Sequence, residues 1–317
     1  MESKIRKQAL VYGFAAILLA SVLTAVIFNI TIPFKYTPSA PPVSAPQFPL
    51  LSAFQSEEEL KNFLRMNSRN QEPFWIYGSE DARLANSLAV LSQSGITKSA
   101  APSHSTTNIQ VAGVDEADIV KVDDGGYMYT LSGNVVYILR AYPPMQAKIV
   151  SKITFENLYS IGIFVNGDKL AVLGSEYLFP VIYDKYYIAE IKTFVKVYDV
   201  KNPDSPMLLR DLTISGSYFN SRMIGDYVYF VVSEAAYLIN ETLHLPEINS
   251  DGKLMQIAPT EIRYFNGTDD YYQYTTFFAM NMQNITESPV YLTLMLGGTC
   301  NMYVSLSNIY MTYRGWN

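Results

Sequence analysis

The feature that most constrains this chain is a hairpin plan that recurs four times after residue 106. Each copy is an apolar run, a tight polar turn and a second apolar run. The copies are 119–122 with 127–131, 161–165 with 170–173, 218–224 with 227–232, and 302–306 with 309–313. Between the runs lie residues 123–126, Asn166-Gly167-Asp168, Gly225-Asp226 and Ser307-Asn308. Gly, Asn and Asp tolerate the positive φ that short hairpin turns demand. Residues 135–139 and 148–155 supply a third and fourth strand to the first unit; 194–200 and 207–214 do so for the second. The units begin roughly 42, 58 and 82 residues apart, and four strands at such a period predict propeller blades. The expectation is an all-β chain: a β-propeller-like array of about three and a half four-stranded antiparallel blades. The extra length falls after the second strand of units two and three, at 175–192 and 234–271. In a propeller those connections share one face, so both insertions are expected to enlarge it as a binding surface.

Composition agrees with a packed β domain. Hydrophobic residues make up 49% of the 317 and charged residues only 16%, which excludes a disordered chain. Twenty-five tyrosines, with abundant Val, Ile and Thr, favour strands. The first seven residues hold three of the 23 basic side chains and one of the 29 acidic ones, so the remainder carries 20 against 28. Such an acidic surface repels phosphate and argues against nucleic-acid binding. The one cysteine, Cys300, cannot form an intramolecular disulfide and reads as a small buried apolar residue.

The N-terminal third is organised differently. Residues 9–28 are uncharged and the apolar character runs on to Ile32, enough to cross a hydrocarbon core. Lys4, Arg6 and Lys7 precede them, so a cytoplasmic stub (1–8) and a transmembrane anchor (9–32) are expected, with the rest extracytoplasmic. That makes a single-pass cell-membrane protein, or a secreted one if the segment is a cleaved signal. Residues 33–55, with six prolines, read as an extended spacer. Residues 56–105 read as a helical lead-in. Ser56 and Glu59 form a capping box ahead of Leu60, Phe63 and Leu64, and a second helix is expected at 81–91. The partial propeller takes 106–317.

The stretch Thr107-Asn108-Ile109-Gln110-Val111-Ala112-Gly113-Val114-Asp115-Glu116-Ala117-Asp118-Ile119-Val120-Lys121 resembles the opening of the secreted β-propeller domain family of archaea and some bacteria, described as distantly related to WD40 repeats. Val197-Tyr198-Asp199-Val200, with Asn202-Pro203 and Pro206, is similar to that family's recurring strand-turn-strand element. The resemblance implies a secreted or surface-attached propeller and no particular activity. Roughly 210 residues follow Thr107, whereas closed propellers usually hold four to eight blades. The expectation is therefore a truncated ring with an open last blade. Its exposed strand edge would be completed by another chain, by a further C-terminal extension, or by the segment 57–91.

Motifs for nucleophilic, phosphate-binding, dinucleotide or zinc chemistry are absent from the sequence. His104 and His244 both fall in predicted loops and cannot make a three-His zinc site. The densest acidic group is Asp115, Glu116, Asp118, Asp123 and Asp124, whose oxygens suit Ca²⁺. It lacks the spacing of a calcium loop, and turn capping competes for the same carboxylates. No other cofactor is expected. Sequons at Asn240, Asn266 and Asn284 are candidate glycosylation sites, while that at Asn29 lies close to the membrane. Tyr183, Tyr186 and Tyr187, and separately Tyr271, Tyr272 and Tyr274, border the insertions. They are candidate contacts for a protein or glycan, although packing is the favoured use. The sequence thus favours a binding or interaction module for an extracytoplasmic protein or glycan over an enzyme. The alternatives are a hydrolase using acids on the insertion face and a structural envelope component.

Overall fold

A computed structural model describes residues 51–68, 111–178, 181–183, 186–188 and 190–313, all within one compact unit. The expected anchor, most of the spacer, the helix at 81–91 and His104 lie outside the described residues, as does the side chain of Cys300. Among the described residues no helix is long and apolar enough to cross a membrane.

Three sheets, antiparallel but for one short parallel pair in the third, follow one another along the chain, each containing the expected four-strand meander. The first is Val120–Val122, Tyr127–Ser132, Val135–Arg140 and Lys148–Thr154. The second is built on Leu158–Asn166, Lys169–Tyr177, Ile191–Asp199 and Met207–Ser215. The third is built on Ser217–Ile224, Tyr227–Ala236, Tyr272–Asn281 and Val290–Leu296. A hairpin, Thr299–Val304 with Ile309–Tyr313, comes last. Its turn starts earlier than the sequence suggested, because Ser305 takes its backbone and side chain into the turn with Asn308.

Burial explains the patterns. In the second sheet Ile163, Leu170, Val172 and Phe194 face the first sheet, against Tyr129, Leu131, Val136 and Ile138. Its opposite face carries Phe164, Ala171, Leu173, Val195 and Val197 against Val228, Phe230, Val232 and Phe278 of the third. With both faces covered, Lys169–Tyr177 is buried over its first seven residues, as strands buried on two sides are. Gly174 sits where this packing is tightest. A Cβ there would fall 2.3 Å from the Tyr159 carbonyl and 2.5 Å from the Phe194 ring.

The long insertion does something the sequence did not suggest. Instead of remaining a loop on one face, it sends Glu247–Ser250 and Lys253–Gln256 to extend the outer edge of the second sheet, pairing on Met207–Ser215. It then returns as Ile262–Tyr264, parallel to Val290–Leu296 in its own sheet. Ser52–Ala53 pairs in turn with Ile262–Tyr264, so the last part of the expected spacer is a strand. The insertion thereby latches the second and third sheets together at their rims.

Helix α1 (Glu57–Asn67) begins as expected: Ser56 caps it, its hydroxyl accepting from the Glu59 amide at 3.1 Å. The Glu59 carboxylate reaches back one residue further than a standard box, to the Gln55 amide. Leu60, Phe63 and Leu64 are buried, and Phe63 meets the rings of Phe54, Tyr264 and Tyr272.

Candidate functional site

Two acidic groups lie in different parts of this frame. The first belongs to residues 115–122, which run as a strap across the inner edges of all three sheets. Asp115–Glu116 pairs with Ser217–Ile224 of the third sheet, Asp118 bridges to Ile163 of the second, and Val120–Val122 opens the first. The strap lies so close to the second sheet that a Cβ on Gly162 would fall 2.9 Å from Ala117 Cβ. Lys121 is buried and donates to both Asp115 oxygens, at 2.7 and 2.9 Å, and to the Glu116 carbonyl at 2.8 Å. Glu116 pairs with Arg222 of the third sheet at 3.2 Å. Asp118 accepts from the Ile119 amide. Asp123 caps its turn, accepting from the Tyr127 amide and the Tyr129 hydroxyl. Asp124 is exposed at the same turn. These candidates for calcium are therefore engaged in ion pairs and turn bonds, and no three potential metal ligands stand together among the described residues.

The second group is at the rim where each sheet's second strand passes to its third, here called the insertion rim. Glu176 and Lys192 are cross-strand partners at the end of the second sheet. Lys192 pairs with Glu190 at 2.9 Å. Glu247 arrives with the inserted hairpin, its amide held by the Ser215 hydroxyl. Glu176, Lys192, Thr213, Glu247, Asn249 and Leu254 line a cleft of about 290 Å³. Tyr159 and Tyr177 are exposed at the same end of the sheet, on the face opposite Glu176 and Lys192, their rings edge to face at 5.2 Å.

Glu234 enters from the third sheet. It has the strand parity of Val228, Phe230 and Val232, so it points toward the second sheet. Burial, then the charges of Glu190 and Glu247, push its carboxyl up to about 8, against the opposing pull of Lys192. Burial likewise lowers the His244 imidazole, with Glu190 and Glu247 opposing. Burial also works against the Lys192 charge, but its carboxylate neighbours, Glu190 foremost, outweigh that and raise it. Tyr274, the register partner of Glu234, is raised well above the ordinary phenol by burial and then by Glu234.

The tyrosine candidates divide. Tyr272 is buried, its ring against Phe63 and its hydroxyl donating to the Gly267 carbonyl, so it is a packing residue and not a surface contact. Tyr274 is buried in the same strand, and Tyr271 is partly covered beside Gly298. Tyr183, Tyr186 and Tyr187 belong to a small hairpin, Val181–Tyr183 with Tyr186–Ile188, between the second and third strands of the second sheet. Asn240, Asn266 and Asn284 are all exposed and lie outside strands. The first two are in the long insertion; Asn284 is at the opposite end of the third sheet, where its side chain accepts from the Thr286 hydroxyl.

The sequence reading missed Glu234, Glu190 and Glu247. One signal was visible: Glu234 interrupts an apolar strand at a core-facing position.

Comparison with known proteins follows the same outline. The model of the beta propeller domain family matches residues 104–317. The chain is similar to an uncharacterized protein of Methanocaldococcus jannaschii, 25% identical over 271 residues, which covers 81% of this chain and 36% of that one. It is also similar to an uncharacterized protein of Archaeoglobus fulgidus, 24% identical over 299 residues, covering 87% and 44% respectively. The chain thus spans less than half the length of either relative. No solved structure matches it.

Proposed function

This chain belongs to the beta propeller domain family, and on that premise we propose that it is a binding module that holds a protein or glycan partner at its insertion rim. The observation that carries the reading is the gathering of Glu176, Glu190, Glu234 and Glu247 around Lys192, with Glu176, Lys192 and Glu247 lining a cleft, and with two exposed tyrosines at the same end of the sheet. Exposed aromatic rings next to charged rims are the usual composition of protein contact surfaces. In the same reading residues 9–32 anchor the chain in the cell membrane with the propeller outside. The three described units form three blades, and the last hairpin belongs to a fourth. Asn240, Asn266 and Asn284 carry N-linked sugars.

The rim is tested by Glu176→Gln/Glu190→Gln/Glu247→Gln in the full chain, with proximity labelling of partners on intact cells. A loss of at least tenfold in labelled partner, at an unchanged unfolding midpoint, supports the reading; undiminished labelling overturns it. External protease on the same cells should degrade the propeller, and full protection would overturn the topology.

One observation favours a second reading. A carboxyl that keeps its proton to about pH 8 has the character of a general acid, so an acid–base hydrolase is the alternative. Glycoside turnover abolished by Glu234→Gln would establish it over the binding module.

A further inference from the structure

The buried polar side-chain atoms with no hydrogen-bond partner among the described residues include Glu234 Oε2 and the Tyr274 hydroxyl, both at the insertion rim. They are close neighbours. Glu234 and Tyr274 are directly paired across two strands of the third sheet, and both side chains face the second sheet. Tyr274 is 1% exposed, and Glu234 is partly exposed as a residue although its Oε2 is sealed, so a ligand would reach the pair only by displacing the Glu234 side chain. An unmade buried hydrogen bond costs stability. Two such losses side by side are relieved together by one group that can donate to both oxygens.

The surroundings select the charge of that group. Glu190 and Glu247 act on Glu234 from the second sheet and the inserted hairpin, and the opposing cation, Lys192, is paired with Glu190. The field therefore favours a positive ligand. A metal ion fits poorly, because it needs several protein ligands at once and, among the described residues, no three potential ligands stand close enough to hold one. An ammonium or guanidinium brings its own donors and needs only two or three acceptors. Aromatic walls suit it further. Tyr237 and His244 lie ring to ring at 5.4 Å, and Tyr237 is near enough to Tyr274 to influence its titration.

We propose that the insertion rim captures the ammonium or guanidinium end of a ligand, with the Glu234 carboxylate as its anchor and the Tyr274 oxygen as a second acceptor. Glu190 and Glu247 supply the long-range attraction. This deepens the binding-module reading and rests on it. The bound form requires ionised Glu234, which otherwise keeps its proton to about pH 8, so binding below that pH releases a proton. Affinity should rise by up to about tenfold per pH unit until Glu234 is ionised in the unliganded protein. The other groups facing the site are Glu190, Glu247, Lys192, His244, Tyr237 and Tyr274. Burial keeps His244 neutral in the upper part of that range, so it does not oppose the ligand there.

The test is isothermal titration of the full chain at pH 6, 7 and 8 in buffers of different ionisation enthalpy. The probes are acetyl-lysine methylamide, acetyl-arginine methylamide, spermidine and, as an uncharged control, diacetyl-lysine methylamide. The proposal predicts saturable binding of a charged probe, at least tenfold tighter at pH 8 than at pH 6. It also predicts proton release at pH 6 and 7, and at least tenfold loss in Glu234→Gln. Tighter binding of an amide supports a side chain of a protein partner as the source; tighter binding of spermidine supports a free polyamine. Tyr274→Phe keeps the ring and should cost several-fold, which preserves the test if Glu234→Gln does not fold. No saturable binding, equal binding of the control, or undiminished binding by both variants would overturn the proposal. Partner labelling that still depends on Glu176, Glu190 and Glu247 would leave the broader binding role standing.

Discussion

The strap and the insertion rim are both acidic, yet they are opposite kinds of site. Along the strap the carboxylates are dense in sequence and each described one is matched: Asp115 by Lys121, Glu116 by Arg222, Asp118 by a backbone amide, Asp123 by an amide and a hydroxyl. At the rim the carboxylates are scattered in sequence, the fold gathers them, and Glu234 is left with a sealed oxygen and no matching donor. Density of acids along a chain says little about binding. The balance of donors and acceptors after folding says more, because burial costs little for a matched charge and much for an orphaned one.

The largest effect expected from this contrast is at the strap. Lys121→Met leaves Asp115 and the Glu116 carbonyl without their shared donor and should destabilise the full chain by about 3 kcal/mol. Urea unfolding followed by far-UV circular dichroism measures it. A loss below about 1 kcal/mol would mean that the strap does not hold the three sheets together.

At the rim the sign is reversed. The ordinary Glu value is 4.5, and Glu234 is pushed up to about 8. Between those values the native state keeps a proton that the unfolded chain has released, so this group makes stability fall as pH rises and level off above about pH 8. Glu234→Gln should remove that slope. The variant should match the parent near pH 4 and exceed it by about 4 kcal/mol at pH 8. Identical pH profiles for the two proteins would erase the distinction between the clusters.

A smaller effect sharpens the comparison. Asp123→Ala removes the acceptor for the Tyr127 amide and the Tyr129 hydroxyl, and should cost about 1 kcal/mol while leaving the rim's pH response intact. Hydrogen exchange at the Tyr127 amide should quicken with it. An unchanged rate there would show that Asp123 does not secure the turn.

What could be read in advance was mostly local. Alternating apolar runs around Gly and Asn turns placed the hairpins of all three sheets, and Ser56 with Glu59 placed the start of α1. The partners of the strap could not be read, because Arg222 lies in a different sheet from Lys121 and only folding brings both to residues 115–116. The route of the long insertion was equally hidden. Pairing Glu247–Ser250 with the neighbouring sheet depends on register between distant segments, which composition does not encode. The tyrosines near 272 left two uses open for a related reason: aromatic residues serve buried strands and exposed contacts alike, and the favoured use, packing, is the one seen where Phe63 of the helix covers Tyr272.

The claim that the rim is under-matched while the strap is satisfied rests most directly on one carboxyl. Site-resolved ¹³C titration of the Glu234 side chain in the full chain, without added ligand, reads it out. The account predicts a midpoint at about 8, set by burial and by Glu190 and Glu247. A midpoint in the ordinary carboxylate range, near 4.5, would show that Glu234 is solvated or already paired and would contradict the account.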